Sequence, residues 1–370
     1  MEYTTIGESC SVVSGGTPSR SKTEYWRNGT IPWIKIGNIK SKYVNEYDEL
    51  ITEQGLNNSS AKLLKKGTIL YTIFATLGEA GILDTEACTN QAIAGININD
   101  PRITTDYLYY YLKSKKDYVN NIGRGVAQNN INLTTLKKFE IPLINVDKQL
   151  YIVEVLEKVE RMIGLKKKEI DDLDLLIKAR FVEMFGDPVI NSMRWPEVLI
   201  GDNCFVTKLA GFEYTQYINY EDSGDVVMVK AQNVKNGKLN RKELSFISKK
   251  VSDSLPRSQL EPGDVVMTYV GANIGDVAVI DNEYKYHLAP NVAKIRPDAE
   301  VYDSIYFAYM LLFLNSYIVK NSADTAKAAL GMDRIRKLHV FVPPIDIQRK
   351  FSEFIKQIDK SKFRDFIPHK

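Results

Sequence analysis

Residues Lys148 to Gly186 read KQLYIVEVLEKVERMIGLKKKEIDDLDLLIKARFVEMFG, and the spacing of their apolar positions decides the architecture. Apolar residues recur in alternating steps of four and three. Leu156, Ile163, Ile170, Ile177 and Met184 form one line; Ile152, Val159, Lys166, Leu173 and Arg180 form a second, broken by its charged members. A period of about 3.5 residues is a coiled-coil seam rather than the wider face of a helix lying on a globular core. The outward positions carry Glu157, Lys158, Lys167, Lys168, Asp171 and Asp172, as suits a solvated face. Gly164 costs roughly 1 kcal/mol of helix propensity, so packing has to outweigh it. Gly186-Asp187-Pro188 ends the helix, because glycine accepts a left-handed cap and proline cannot continue the ladder. At 1.5 Å per residue the helix is about 58 Å long, longer than a small domain is wide. It reads as a spacer.

Composition sets outer bounds. The chain has 370 residues with 44% hydrophobic content, enough for two cores. Its formal charge of +3 is too balanced to announce a nucleic-acid binder by charge alone. Cys10, Cys88 and Cys204 are scattered and read as reduced thiols, not a disulfide frame or zinc site. No apolar run has the length of a membrane span, and MEYTTIGESC lacks the regions of a signal peptide. A cytoplasmic protein is expected.

The chain before the spacer returns after it. Ile34-Lys35-Ile36-Gly37-Asn38-Ile39-Lys40 returns as Val229-Lys230-Ala231-Gln232-Asn233-Val234-Lys235, and Leu64-Lys65-Lys66-Gly67-Thr68-Ile69-Leu70 as Leu260-Glu261-Pro262-Gly263-Asp264-Val265-Val266. Gly78 through Asp84 matches Gly275 through Asp281. Each half has a tyrosine-rich helix (Asp106–Ser114, Ser304–Asn315) and then a strand and turn (Ile141-Pro142-Leu143, Val342-Pro343-Pro344). Asp147-x-Gln149 finally returns as Asp346-x-Gln348. Such order implies duplication of a whole domain plus a helix rather than a solenoid. Short β-branched runs (Thr68–Phe74, Val265–Val270, Gly275–Ile280) punctuated by Gly, Asn and Pro make each half α+β. The long polar segments Ser14–Thr30, Asn120–Asn132 and Asn321–Gly331 are where function or disorder is expected.

Catalytic signatures are scarce. There is no Gly-x-x-x-x-Gly-Lys loop and no Gly-x-Gly-x-x-Gly after a strand. The sequence also lacks an Asn/Asp-Pro-Pro-aromatic stretch, so an amino-methyltransferase pocket is missing. His287, His339 and His369 have no metal-ligand spacing. Asp264 followed by Glu283-x-Lys285 is similar to a nuclease metal site, but it follows a turn at Asp281-Asn282, and the first half has Glu86-Ala87-Cys88 instead. What remains is hardware for nucleic-acid contact. Gly15-Gly16-Thr17-Pro18-Ser19-Arg20 is either a tight surface turn or a ligand loop. Lys35, Asn38 and Lys40, with Lys230, Asn233 and Lys235, alternate into a loop; amides can bond adenine, and Lys and Arg serve guanine or phosphate. Arg124, Gln128, Asn129, Asn130 and Asn132 crowd a glycine-containing loop that is either satisfied by its own backbone or inserted beside base edges.

Gly15-Gly16-Thr17-Pro18, then Ile31-Pro32-Trp33-Ile34-Lys35-Ile36-Gly37-Asn38, then Gly67 and Gly78, resemble in order the target-recognition domains of Type I restriction-modification specificity subunits. So do Ile141-Pro142-Leu143 running into Gln149 and a long helix, and Phe181–Pro188 at its end. The resemblance covers nearly the whole chain. It implies an α+β fold with two similar target-recognition domains separated by long coiled-coil helices: residues 1–146 and 188–345 as readers, 147–187 as central spacer, 346–370 as a short C-terminal spacer. It further implies a non-catalytic reader of split double-stranded DNA with no cofactor of its own. Two methyltransferase subunits using S-adenosylmethionine dock on such a subunit, and motor-nuclease restriction subunits using ATP and Mg join them. The expected DNA contacts are Thr17, Arg20, Lys35, Asn38, Lys40, Arg124, Gln128, Asn130, Lys230, Asn233, Lys235 and Asn273. The expected subunit interface is Leu156, Ile163, Ile170, Leu173, Ile177 and Met184 with Phe351, Ile355 and Ile358.

Two departures stand out. The second half has Lys327-Ala328-Ala329-Leu330-Gly331-Met332 in place of the Gly125, Gln128, Asn130 arrangement, so the two domains should read different bases. The second helix is about half as long as the first, leaving apolar seam for a second copy of the chain or a methyltransferase subunit; alternatively Lys360–Lys370 replaces a longer natural helix. A coiled-coil scaffold without DNA binding, or a metal-dependent nuclease, are the competing readings.

Overall fold

The chain, in a computed structural model that describes residues 2–123, 130–322 and 329–364, divides into two compact units, Met1–Leu165 and Lys166–Lys370. Unit 1 runs β1 (Glu2–Thr5), α1 (Ile6–Ser9), β2 (Cys10–Ser14), β3 (Ile31–Ile34), β4 (Tyr43–Val44), β5 (Glu49–Ile51) and α2 (Glu53–Asn57). It continues with β6 (Ile69–Thr72), β7 (Ala80–Leu83), β8 (Cys88–Thr89), β9 (Ile93–Ile98), α3 (Thr105–Ser114), α4 (Lys116–Gly123), α5 (Leu133–Lys137) and β10 (Glu140–Leu143). The seam is α6, Val146–Phe185, and the unit boundary falls inside it. Among the described residues the strands form sheets ordered β2-β9-β6-β7-β4, β5-β3-β8 and β1-β10. β6 and β9 hold the middle of the largest sheet because Ile69, Leu70, Tyr71, Ile93 and Ile96 bury on both faces, as central strands must. In the smaller sheet β3 runs parallel to β8, pairing Trp33 with Cys88 and Ile34 with Thr89, so both strands end at the same edge.

Unit 2 repeats this plan. It runs β11 (Glu197–Leu199), α7 (Ile200–Asn203), β12 (Cys204–Lys208), α8 (Gly211–Tyr217), β13 (Val226–Val229), β14 (Val234–Lys235), β15 (Lys238–Leu239), β16 (Phe246–Ile247), α9 (Lys249–Ser254) and β17 (Gln259–Leu260). Then follow β18 (Val265–Thr268), β19 (Val277–Val279), β20 (Lys285–Leu288), β21 (Val292–Pro297), α10 (Ser304–Ser322), α11 (Met332–Arg336), β22 (His339–Phe341) and α12 (Ile345–Arg364). The sheets are β12-β21-β18-β19, β16-β13-β20-β17, β11-β22 and β14-β15, and β13 runs parallel to β20 as β3 does to β8. The tyrosine-rich helix expected to stop near Asn315 continues to Ser322.

The duplication extends to single atoms. Gln149 is fully buried; its Oε1 accepts from the Thr104 N–H at 2.9 Å, and its Nε2 donates to the carbonyls of Arg102 (2.6 Å) and Ile144 (2.9 Å). Gln348 does the same, accepting from Asp303 N–H at 2.9 Å and donating to Val301 (3.0 Å) and Pro343 (2.8 Å). In each unit this amide ties the first turn of the spacer helix to the segment entering the tyrosine-rich helix.

The expected interface residues divide. In unit 2, α6 packs its own side chains inward: Phe181 and Phe351 rings lie 5.4 Å apart and Phe185 and Tyr306 4.6 Å apart. Ile177, Phe351, Ile355 and Ile358 belong to that core, Leu173 and Met184 pack against it, and Ile170 is half-buried. Their place is inside unit 2, because α12 is long enough to cover this half of the seam. In unit 1 the same stripe lies open: Leu156 and Ile163 are 36% and 50% exposed, alongside Ile152, Val155, Val159 and Met162. Gly186 takes the left-handed conformation (φ 81) that ends α6. No helix among the described residues is long and apolar enough to cross a membrane.

Candidate nucleic-acid interface

Parallel strands that end together bring their following loops to one edge. In unit 1 that edge carries Lys35, after β3, and Asn90-Gln91, after β8. The loop Gly15–Arg20 folds onto it: Gly15 N–H donates to the Ile93 carbonyl at 3.0 Å and Gly16 N–H to the Thr89 carbonyl at 2.8 Å. A Cβ on Gly15 would lie 2.1 Å from the Asn90 carbonyl oxygen, and one on Gly16 2.3 Å from the Ser60 backbone. Only glycine permits this approach. The loop thereby places Thr17 in a hydrogen bond with Gln91 and lays the Arg20 guanidinium 3.6 Å from the centroid of Trp26 and 4.9 Å from that of Trp33.

Antiparallel pairing of β5 with β3 brings Glu49 opposite Trp33. Its carboxylate accepts from Arg20 at 2.6 Å and from Lys35 at 3.0 Å, and Asp48 lies 3.7 Å from Lys35. Burial pushes the Glu49 carboxyl up, but the hydrogen bonds from Lys35 and Arg20 outweigh it and hold it below its ordinary value. Two cations meet two carboxylates, so this edge offers oriented donors rather than bulk positive charge.

Asn38 is corrected from a base contact to a part of the frame. It is buried; its Oδ1 accepts from the Lys35 N–H at 2.9 Å and its Nδ2 donates to Asp48 at 3.2 Å. Asn233 repeats this, accepting from Lys230 N–H at 3.1 Å and donating to the carbonyls of Asn240 (2.9 Å) and Lys242 (3.3 Å). Both amides close a helical turn and are buried, 5% and 2% exposed, which turns them away from a base. Lys40 is exposed and paired with Glu46 at 3.4 Å. Asn130 forms an antiparallel bridge with Phe74. Arg124 and Gln128 lie outside the described residues.

The edge in unit 2 is built from other side chains. Ser245 stands where Glu49 stands, and Lys230 Nζ donates to its hydroxyl at 2.9 Å while lying 5.8 Å from the Tyr220 ring. The glycine loop is replaced by α8, which exposes Phe212 and Tyr217. Lys208 lies 5.4 Å from the Tyr269 ring. Lys235 and Asn273 are exposed; Lys235 lies on β14, directly after the Lys230 turn. Trp26, Glu49, Gln91, Tyr220 and Ser245 were missed by the sequence reading; only the aromatic of Ile31-Pro32-Trp33 hinted at a stacking platform.

The nuclease constellation does not form. Asp264 is buried and bridged by Arg296 at 2.6 and 2.9 Å, and Glu283 pairs with Arg241 at 3.2 Å. Among the described residues no group of His, Cys, Asp and Glu is placed to hold a metal.

The chain is a duplicated α+β domain whose two parallel-strand edges carry different side chains. The profile of the Type I restriction modification DNA specificity domain matches residues 1–175 and again 195–364, and the chain belongs to that family. It is similar to the Type I restriction enzyme MjaIX specificity subunit of Methanocaldococcus jannaschii, 26% identical over 95% of this chain and 84% of the relative. The fold is shared with the crystal structure of the Type I restriction-modification S subunit from M. genitalium (TM-score 0.54, 17% identity, 98% of this chain and 90% of that one). It is shared too with a chain from a structural study of complex assembly and conformational transition of the type I R-M system (TM-score 0.60, 16% identity, 98% and 90%).

Proposed function

We propose that this specificity subunit reads a two-part duplex target, one part at each parallel-strand edge, and brings two methyltransferase subunits and the motor-nuclease restriction subunits to it. The observation that carries this reading is the repeated scaffold with dissimilar edges: Arg20, Glu49 and Trp26 in one unit, Lys230, Ser245 and Tyr220 in the other. Identical edges would read identical half-sites; these cannot. The chain binds no cofactor itself, and S-adenosylmethionine, ATP and Mg belong to its partners, all in the cytoplasm. The exposed stripe Ile152, Val155, Leu156, Val159, Met162 and Ile163 on α6 is the methyltransferase docking surface, since contiguous apolar surface of this kind marks interaction sites. With a net charge of only +3 the isolated chain has little sequence-independent pull on DNA, so tight binding awaits the complex. The test is methylation-site sequencing and footprinting of the complex reconstituted with its methyltransferase subunits. Two protected blocks flanking an unread gap are expected; one continuous block, or none, refutes the reading.

A further inference from the structure

Building on the DNA-reading assignment above, we propose that Arg20 reads the major-groove edge of a single guanine in the half-site recognised by unit 1. The guanidinium is pre-positioned. Its flat face rests 3.6 Å from the Trp26 centroid, and Trp26 meets Trp33 edge-on at 5.1 Å. Trp33 is itself anchored, 3% exposed with its Nε1 donating to the Gly16 carbonyl at 2.9 Å. The stack therefore rests on the core, not on a mobile loop tip.

Orientation comes from Glu49, which takes one N–H of Arg20 at 2.6 Å. A guanidinium has five such donors in a rigid fork, so most of the fork faces outward, and the side chain is 53% exposed. Phosphate contacts draw on uncompensated positive charge. Here Lys35 and Arg20 share Glu49, and Asp48 lies beside Lys35, so charge is balanced while geometry is fixed. Two acceptors in a fixed pair, O6 and N7, are what only guanine presents in the major groove, and a forked donor matches them. Unit 2 has Ser245 in place of Glu49 and no arginine on α8, which confines this contact to one half-site.

The test uses the complete methyltransferase complex on duplexes in which each guanine of the target is replaced in turn by 7-deazaguanine, removing N7 alone. At one position in one half-site the wild-type complex should lose about 10-fold or more in affinity. In the Arg20→Ala complex that substitution should cost nothing further, and discrimination for guanine there should fall about 10- to 100-fold, Arg20→Lys losing less because an ammonium still reaches one acceptor, and the other half-site keeping its preferences. Glu49→Gln should lie between. A uniform loss across all sequences, with the salt slope reduced by about 0.9, would make Arg20 a phosphate contact and overturn the proposal. Unchanged preference in both folded variants would overturn it as well. A wild-type complex with no two-part preference would instead refute the DNA-reading assignment, before any variant is made.

Discussion

Replacing Gln149 by leucine should unfasten unit 1 from its spacer helix with almost no change in volume. The amide makes four hydrogen bonds: to Thr104 N–H (2.9 Å), Thr104 Oγ1 (3.2 Å) and the carbonyls of Arg102 (2.6 Å) and Ile144 (2.9 Å). It is fully buried, so water cannot replace them. A stranded buried donor or acceptor costs about 1–3 kcal/mol. Three backbone groups are stranded, and allowing for the second lone pair of each carbonyl the loss is about 3–5 kcal/mol. Denaturant unfolding supplies the total. Amide hydrogen exchange supplies the location, since the Thr104 N–H should lose protection while the Asp303 N–H, bonded to Gln348 in unit 2, keeps it. Gln348→Leu should reverse the pattern. Gln149→Glu gives an independent sign. A carboxylate cannot donate to the two carbonyls, so burial there raises its pKa above the unfolded value. The ionisation penalty is then absent below the unfolded carboxyl range, near pH 4, and grows as pH rises from there to the folded value. A loss under about 1 kcal/mol, or undisturbed exchange at Thr104, would refute the assignment of the amide as a fastener.

Asn38→Ala and Asn233→Ala should each cost about 2–4 kcal/mol of stability, measured by denaturant unfolding, and leave the target bases read by the surviving folded complex unchanged. The Glu49 ion pairs should hold at neutral pH and weaken as pH falls through its lowered pKa, seen as a change in Trp26 and Trp33 fluorescence that Glu49→Gln abolishes. Leu156→Lys with Ile163→Glu should make the isolated chain less prone to self-association in light scattering and impair methyltransferase capture. A wild-type chain that remains monomeric at high concentration, with capture intact in the variant, would show that the stripe has no partner. Four residues inserted after Lys166 lengthen α6 by about 6 Å and should widen the unread gap by about two base pairs, at 3.4 Å each, with both half-sites unchanged.

The duplication, the long helix and its end were legible in the sequence because each depends on order and period, which survive without coordinates. The 3.5-residue line read as a coiled-coil seam, by contrast, packs into a globular core from Leu173 to Met184. Gly186 ends α6 with a positive φ, as Gly-Asp-Pro implied. The reading edge was legible only in outline. Lys35 and Asn38 lie three positions apart on what looked like an alternating strand, but the chain turns there, and Asn38 points back to the Lys35 amide. Glu49 reaches Arg20 only through the pairing of β5 with β3, a tertiary relation that periodicity does not encode. The seam residues looked equivalent in sequence; which of them are covered depends on where α12 lies, and Ile177 and Ile163 have opposite fates.

One half can change what it reads without losing its fold, because the bonds that hold the fold lie apart from the edge. Gln149 and Gln348, Asn38 and Asn233 make matching backbone bonds in the two units, and such bonds are indifferent to DNA. The edge itself rests on side chains that make few of them: Glu49 becomes Ser245, and a glycine loop becomes α8. Lys42 and Lys238 lie between these categories. Lys42 pairs with Asp106 at 2.6 Å and with Glu157 on α6, whereas Lys238 pairs with Asp359 on α12. Each ties its recognition unit to a spacer helix, but to a different carboxylate. The attachment is therefore kept by charge rather than by residue-for-residue identity. Transplanting an edge from one unit to the other should then require moving the loop, Glu49 and the stacking aromatics together. Moving Arg20 alone would leave it without the carboxylate that aims it and the ring that carries it, and it should add no guanine preference.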